Sequence, residues 1–149
     1  MKIEKILVPT DFSVDAEHAL GAAKDLARLL GAEIVLMHAY HVDLPMATPA
    51  LGGGYVLPAD FYDELRAQAT KQIEKIAAGV AKDGISVTSV AIEERPFFAI
   101  LEEAKRRSVD LIVMGTRGLT GLKHVAFGSV AERVVREAPC PVLTIKADY

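Results

Sequence analysis

A single cysteine, Cys140, stands among 149 residues. It has no partner for an internal disulfide and fits a reducing compartment. Positive charge is not in excess: the net charge is -3 and the isoelectric point about 5.8, against the basic face that a broad nucleic-acid footprint requires. The opening MKIEKILVPTD, broken by Pro9 and Asp11, is too short and too charged for a signal peptide or a membrane span. A cytoplasmic protein with neither nucleic acid nor membrane as partner is therefore expected. No G-x-x-x-x-G-K-[ST] occurs, which excludes a P-loop NTPase, and no G-x-G-x-x-G follows the first apolar run, which argues against a dinucleotide site. Gly52-Gly53-Gly54 follows proline and alanine without the helix and lysine of a phosphate loop. His38 and His41 lack cysteine or carboxylate companions at metal-ligand spacing, and His38, ending a strand, reads as a packed core residue. No nucleophile stands with a base and an orienting group, so catalysis of high turnover is not expected.

What is present is an ordinary globular composition, 51% hydrophobic and 25% charged, long enough for one domain over residues 1–149 that buries ~70% of its unfolded surface. Apolar runs alternate with helical patterns. Ile3 to Pro9 reads as a strand covered on both faces, Ser13 as the cap of a helix whose stripe is Ala19, Leu20, Ala23, Leu26, Ala27 and Leu30, and Gly31 as its left-handed end. Glu33 to Tyr40 is a second strand. The proline- and glycine-rich segment 41–58 is a long loop, a kind that is usually functional or mobile. A helix from about Ala59 to Lys82 and a strand Ile85 to Ile92, nearer a sheet edge, come next. Pro96 opens a third helix with Phe97, Ile100, Leu101 and Ala104 inward; of Phe97 and Phe98, one belongs to the core and one to the surface or an interface. Asp110 to Met114 is the fourth strand, Ser129 to Glu137 a helix with Val130, Val134 and Val135 on one face, and Val142 to Lys146 the last strand. Five strands alternating with four helices mean an α/β fold with a parallel sheet and right-handed crossovers.

The chemistry concentrates in LIVMGTRGLTGLKHVAFGSV, residues 111–130. A buried strand stops at Gly115, Gly118 follows, and Gly128-Ser129 starts a helix. Glycines after a strand let a ligand approach the backbone, and a helix start with free N–H groups and a hydroxyl suits an anion. Ser129 reads equally as a plain cap. Arg117, Lys123 and His124 read either as phosphate contacts or as solvated loop; Arg117 is retained as a candidate. In an open doubly wound sheet, ligands lie beyond the carboxyl ends of strands where the order reverses. For a 3-2-1-4-5 order, that point faces Pro9-Thr10-Asp11 across to Met114-Gly115. An aspartate there suits ribose hydroxyls while glycines and Ser129 hold phosphates. The order itself is not readable from the residues.

The spacing G-x2-G-x9-G-[S/T], met by Gly115, Gly118, Gly128 and Ser129, resembles the nucleotide motif of the universal stress protein family. ILVPTDFS, DLIVMGTRG and APCPVLTIK are similar to that family too, so the resemblance spans almost the whole chain. It implies an open five-stranded parallel sheet in the order 3-2-1-4-5, helices on both faces, in the Rossmann-like manner of the adenine nucleotide alpha hydrolases. It also implies homodimers through the last strand, Val142 to Ile145, and binding of ATP, ADP or AMP, with a Mg²⁺ or Mn²⁺ ion open as a companion held by the phosphates. By the same resemblance Asp11 contacts the nucleoside and the Ala39 backbone meets adenine. Met114, Gly115, Gly118, Gly128, Ser129 and Val130 line the phosphate and ribose side. The chain departs from the family at Glu94-Arg95-Pro96, where many relatives carry Gly-x-Pro. A nucleotide-dependent stress-response module is the leading expectation; a nucleotide-free dimeric interaction module and a slow ATPase are the alternatives.

Overall fold

The computed structural model describes residues 2–43, 57–119 and 127–147. Its elements are β1 (Lys5–Pro9), α1 (Val14–Leu30), β2 (Glu33–Tyr40), α2 (Phe61–Lys82), β3 (Val87–Glu93), α3 (Pro96–Arg106), β4 (Leu111–Gly115), α4 (Ser129–Glu137) and β5 (Val142–Ile145). The strands form one parallel sheet in the order β3-β2-β1-β4-β5. β1 is central, flanked by the pairs Leu7↔Val35 and Leu7↔Ile112.

Because successive strand residues point to opposite faces, the unbroken apolar runs divide into two cores. Ile6, Val8, Ile34, Leu36 and Val113 pack with Ala19, Ala23 and Ala27 of α1 and with Ile73 and Val80 of α2. Leu7, Val35, Met37, Ile112 and Met114 pack with Phe97 and Ile100 of α3 and with Ala131 and Val134 of α4. The alanine stripe of α1 lets that helix sit close to the sheet. This closeness shapes the loop after β4.

The end signals act as expected. The Ser13 hydroxyl accepts from Ala16 N at 3.2 Å, and Gly31 closes α1 at φ 67° with its N–H on Ala27 O. β3 is an edge strand and only half-buried. Phe97 is core, under the guanidinium of Arg133 at 3.7 Å, whereas Phe98 is exposed.

Several boundaries move. β1 begins at Lys5 rather than Ile3, and β4 at Leu111 rather than Asp110. The reason is that the Asp110 carboxylate accepts the N–H groups of Glu4 and Lys5, both at 2.9 Å, and staples the two strand starts together. β3 starts at Val87, not Ile85, because Ile85 turns inward between α2 and the strand. α2 starts at Phe61, the Phe61 N–H being held by Pro58 O in a preceding turn, and β5 ends at Ile145. Two apolar residues assigned inward are exposed, Leu30 and Val135; Ala131, three residues before the buried Val134 and so on the same helical face, takes the inward place on α4. Glu103, which carries no apolar signal, is buried on α3, where Arg106 and Arg107 bind it. Burial pushes its carboxyl upward, but those two guanidinium groups outweigh this and hold it below the ordinary carboxylate range. The expected loop 41–58 falls mostly outside the described residues, as do Lys123 and His124. None of the described helices is long and apolar enough to cross a membrane.

Candidate functional site

The sheet order reverses between β1 and β4, so the loops leaving their carboxyl ends diverge and open a crevice. A cavity of about 810 Å³ lies there. The residues singled out from the sequence all line it: Pro9, Thr10 and Asp11 after β1, Ala39 at the end of β2, Met114, Gly115, Arg117 and Gly118 after β4, and Gly128, Ser129 and Val130 where α4 begins.

The starts of α1 and α4, which follow the two strands that flank the crevice, differ. α1 has the Ser13 hydroxyl on its first turn. α4 has Gly128 as its cap residue, with no side-chain hydrogen bond on its first turn. The N–H groups of Ser129, Val130 and Ala131 therefore have no intrahelical acceptor, and among the described residues no side chain caps them. They stand at the wall of the cavity, where a helix dipole favours negative charge.

The glycines make room for protein as much as for ligand. A Cβ on Gly115 would lie 2.8 Å from Asp15 Cβ and 2.9 Å from the Asp15 carbonyl carbon, so the first turn of α1 sits directly on the end of β4. A Cβ on Gly118 would run into the Asp11 carboxylate. That carboxylate bridges the crevice: Oδ2 accepts Leu119 N at 2.9 Å and Oδ1 accepts Ser13 N at 3.1 Å. Gly128 N donates to Thr116 O at 2.7 Å, closing the loop between β4 and α4. A Cβ on Gly128 would make only ordinary contacts, the nearest at 3.5 Å.

Arg117 is folded against Asp15 at the start of α1 rather than into solvent. Its side chain is 9% exposed, with Nε 3.4 Å from the Oδ2 of Asp15, itself 2% exposed. The Thr116 hydroxyl donates to the same oxygen at 3.2 Å. Sequence reasoning missed Asp15, because an acid in a first helical turn reads as a dipole complement and nothing local announces a partner 101 residues on. It also missed Phe12, which takes φ 65°, a conformation that glycine or asparagine would signal and phenylalanine does not. Glu94 and Arg95 stay clear of positive φ, and Arg95 sits at φ -62° and ψ 135° before α3. The backbone there makes no demand for glycine, which is why Glu-Arg-Pro is accommodated.

His38 lines the same cavity, its Nδ1 2.8 Å from Thr10 O and its ring beside Phe12 and Tyr40. Among the described residues no three His, Cys, Asp or Glu side chains converge as metal ligands would. Cys140 is half-buried, and burial, with the Asp110 carboxylate adding to it, pushes its thiol above the ordinary range. That keeps the thiol protonated and unreactive.

Residues 2–146 match the model of the universal stress protein family. The universal stress protein MJ0531 of Methanocaldococcus jannaschii is 36% identical over 143 residues, covering 96% of this chain and 82% of that protein. Among solved structures, the universal stress protein UspA from Lactobacillus plantarum superposes with a TM-score of 0.80 at 29% identity, over 97% of this chain and 99% of that one. The universal stress protein from Archaeoglobus fulgidus, solved in complex with dAMP, superposes with a TM-score of 0.66 at 27% identity, over 98% and 100% of the two chains. With this match spanning sheet, crevice and glycine loop alike, the chain belongs to the universal stress protein family.

Proposed function

We propose that this protein binds an adenine nucleotide in the crevice between β1 and β4 and acts as a homodimeric stress-response module whose surface changes with nucleotide occupancy. The single observation that carries the reading is the start of α4, where Ser129 to Ala131 line a cavity of about 810 Å³ and no side chain among the described residues caps the helix. Phosphates rest on those amides, the Ser129 hydroxyl and the loop at Gly118 and Gly128. Asp11, already at the lip, takes ribose hydroxyls with its remaining lone pairs, and the Ala39 backbone faces the base. The dAMP carried by the Archaeoglobus fulgidus relative supports the adenine nucleotide class. A divalent ion, Mg²⁺ or Mn²⁺, would rest on the phosphates themselves. Mass spectrometry of the natively purified protein, followed by calorimetry with ATP, tests the site. An adenine nucleotide carried through purification, or saturable ATP binding, is the expected result; an empty protein that gives no heat with ATP overturns the reading.

β5 is an edge of the sheet, with Leu143 exposed and Val142 and Ile145 half-buried. An uncovered apolar edge invites a symmetric partner. A second copy pairs along Val142 to Ile145 in this reading. Light scattering should give twice the mass of one chain at micromolar concentration, and a monomer there refutes the dimer.

A further inference from the structure

We propose that His38 is a positioning residue: its imidazole holds the Thr10 carbonyl and so aims the Asp11 carboxylate across the crevice at the glycine loop. Ladder pairing between β1 and β2 ends at Pro9↔Met37, and Thr10 N makes one further backbone bond, to Met37 O at 2.8 Å. The Thr10 carbonyl lies past the last pair. His38 Nδ1 meets it at 2.8 Å. A carbonyl oxygen only accepts, so Nδ1 carries the hydrogen whether the ring is neutral or charged. The imidazole thus stands in for a missing strand donor, and both backbone polar groups of Thr10 are tied to β2.

The chain then folds back over the ring. Phe12 N donates to Thr10 Oγ1 at 3.0 Å, and the Phe12 ring lies 4.3 Å from the imidazole, centroid to centroid. A bulky residue at φ 65° is strained, and the contact between the Phe12 and His38 rings accompanies that turn. Asp11 stands between these two anchors. Its Oδ2 reaches Leu119 N, on the far side of the crevice. A contiguous path of bonds therefore runs from β2 through the β1 loop to the β4 loop. A residue needed only for packing would place no demand on the ring nitrogen; this path does.

The affinity arm of the test rests on the nucleotide reading above; the exchange arm does not. Three full-chain variants separate the roles: His38→Asn, whose amide nitrogen falls near Nδ1, His38→Gln, whose amide falls near Nε2, and His38→Leu, which has neither. In ligand-free protein, amide hydrogen exchange at Phe12 and Leu119 should match wild type in His38→Asn and run about tenfold faster in His38→Gln and His38→Leu. ATP followed by calorimetry should bind His38→Asn within about threefold of wild type and the other two about tenfold more weakly. Should His38→Leu fail to fold, the asparagine–glutamine contrast still decides. Affinity kept by glutamine and lost by asparagine would make His38 a direct ligand contact, and three variants alike in exchange and affinity would make it packing alone; either overturns the proposal. A wild type that takes no ATP refutes the nucleotide site, while the exchange pattern still judges His38.

Discussion

Replacing Gly115 with alanine is expected to cost the fold about 3 kcal/mol, although it adds only one methyl group. That methyl would sit 2.8 Å from Asp15 Cβ, 2.9 Å from the Asp15 carbonyl carbon and 3.0 Å from its oxygen. None of these atoms is the movable end of a side chain. Either α1 retreats from the sheet, opening the packing of Ala19, Ala23 and Ala27, or β4 bends. Both disturb the bonds that Thr116 and Arg117 make to Asp15. For a chain of this length the loss corresponds to roughly 10 °C in Tm. Thermal and urea unfolding measure it. Gly21→Ala is the control: nothing lies within 4 Å of a Cβ there, the site is inside α1, and about 1 kcal/mol of stabilisation is expected from helix propensity. Equal and small effects of the two substitutions would show that α1 does not press on the end of β4.

Gly118→Val is expected to leave the fold nearly as stable and to weaken ATP binding by roughly 10–100-fold. Here the obstacle to a Cβ is the Asp11 carboxylate, which can swing away, so little stability is at stake. Swinging away breaks its bond with Leu119 N, opens the bridge over the crevice and leaves a branched side chain beside the lip. The ligand then meets a displaced carboxylate and a crowded loop. Calorimetry with ATP on a variant whose urea midpoint is unchanged measures this, and an unaltered affinity would place the nucleotide elsewhere. The two glycines thus separate cleanly: one answers to backbone packing and is read in stability, the other to a side chain and is read in affinity.

The parts of the molecule legible in its residues are those that depend on local chemistry. Glu33 to Tyr40 and Ser129 to Glu137 appear at the ends expected of them, since a buried parallel strand is an unbroken apolar run and glycine-serine marks a helix start. The glycines and the aspartate of the cavity lining were legible because such residues at strand ends are unusual locally, whereas Ala39 and Val130 were reached only through the family resemblance. Misplaced residues have the opposite character. Ile3, Ile85 and Val135 carry the right hydrophobicity, but whether each joins a strand, a turn or a surface depended on Asp110, α2 and Ala131, which are distant in sequence or set by helix rotation.

Alternation of strand and helix and the glycine-serine helix start were determined by the sequence alone, because backbone stereochemistry and hydrophobic period act within a few residues. The strand order became legible only through family resemblance. Tertiary structure alone decided that Gly115 yields to α1, that Gly118 yields to Asp11, that Arg117 folds onto Asp15, and that His38 holds Thr10. Each of these joins residues brought together by the order of strands in the sheet. Hydrogen bonds and steric contacts act only over a few ångströms, so partners 28, 101 or 108 positions apart exist for one another only once the sheet has assembled.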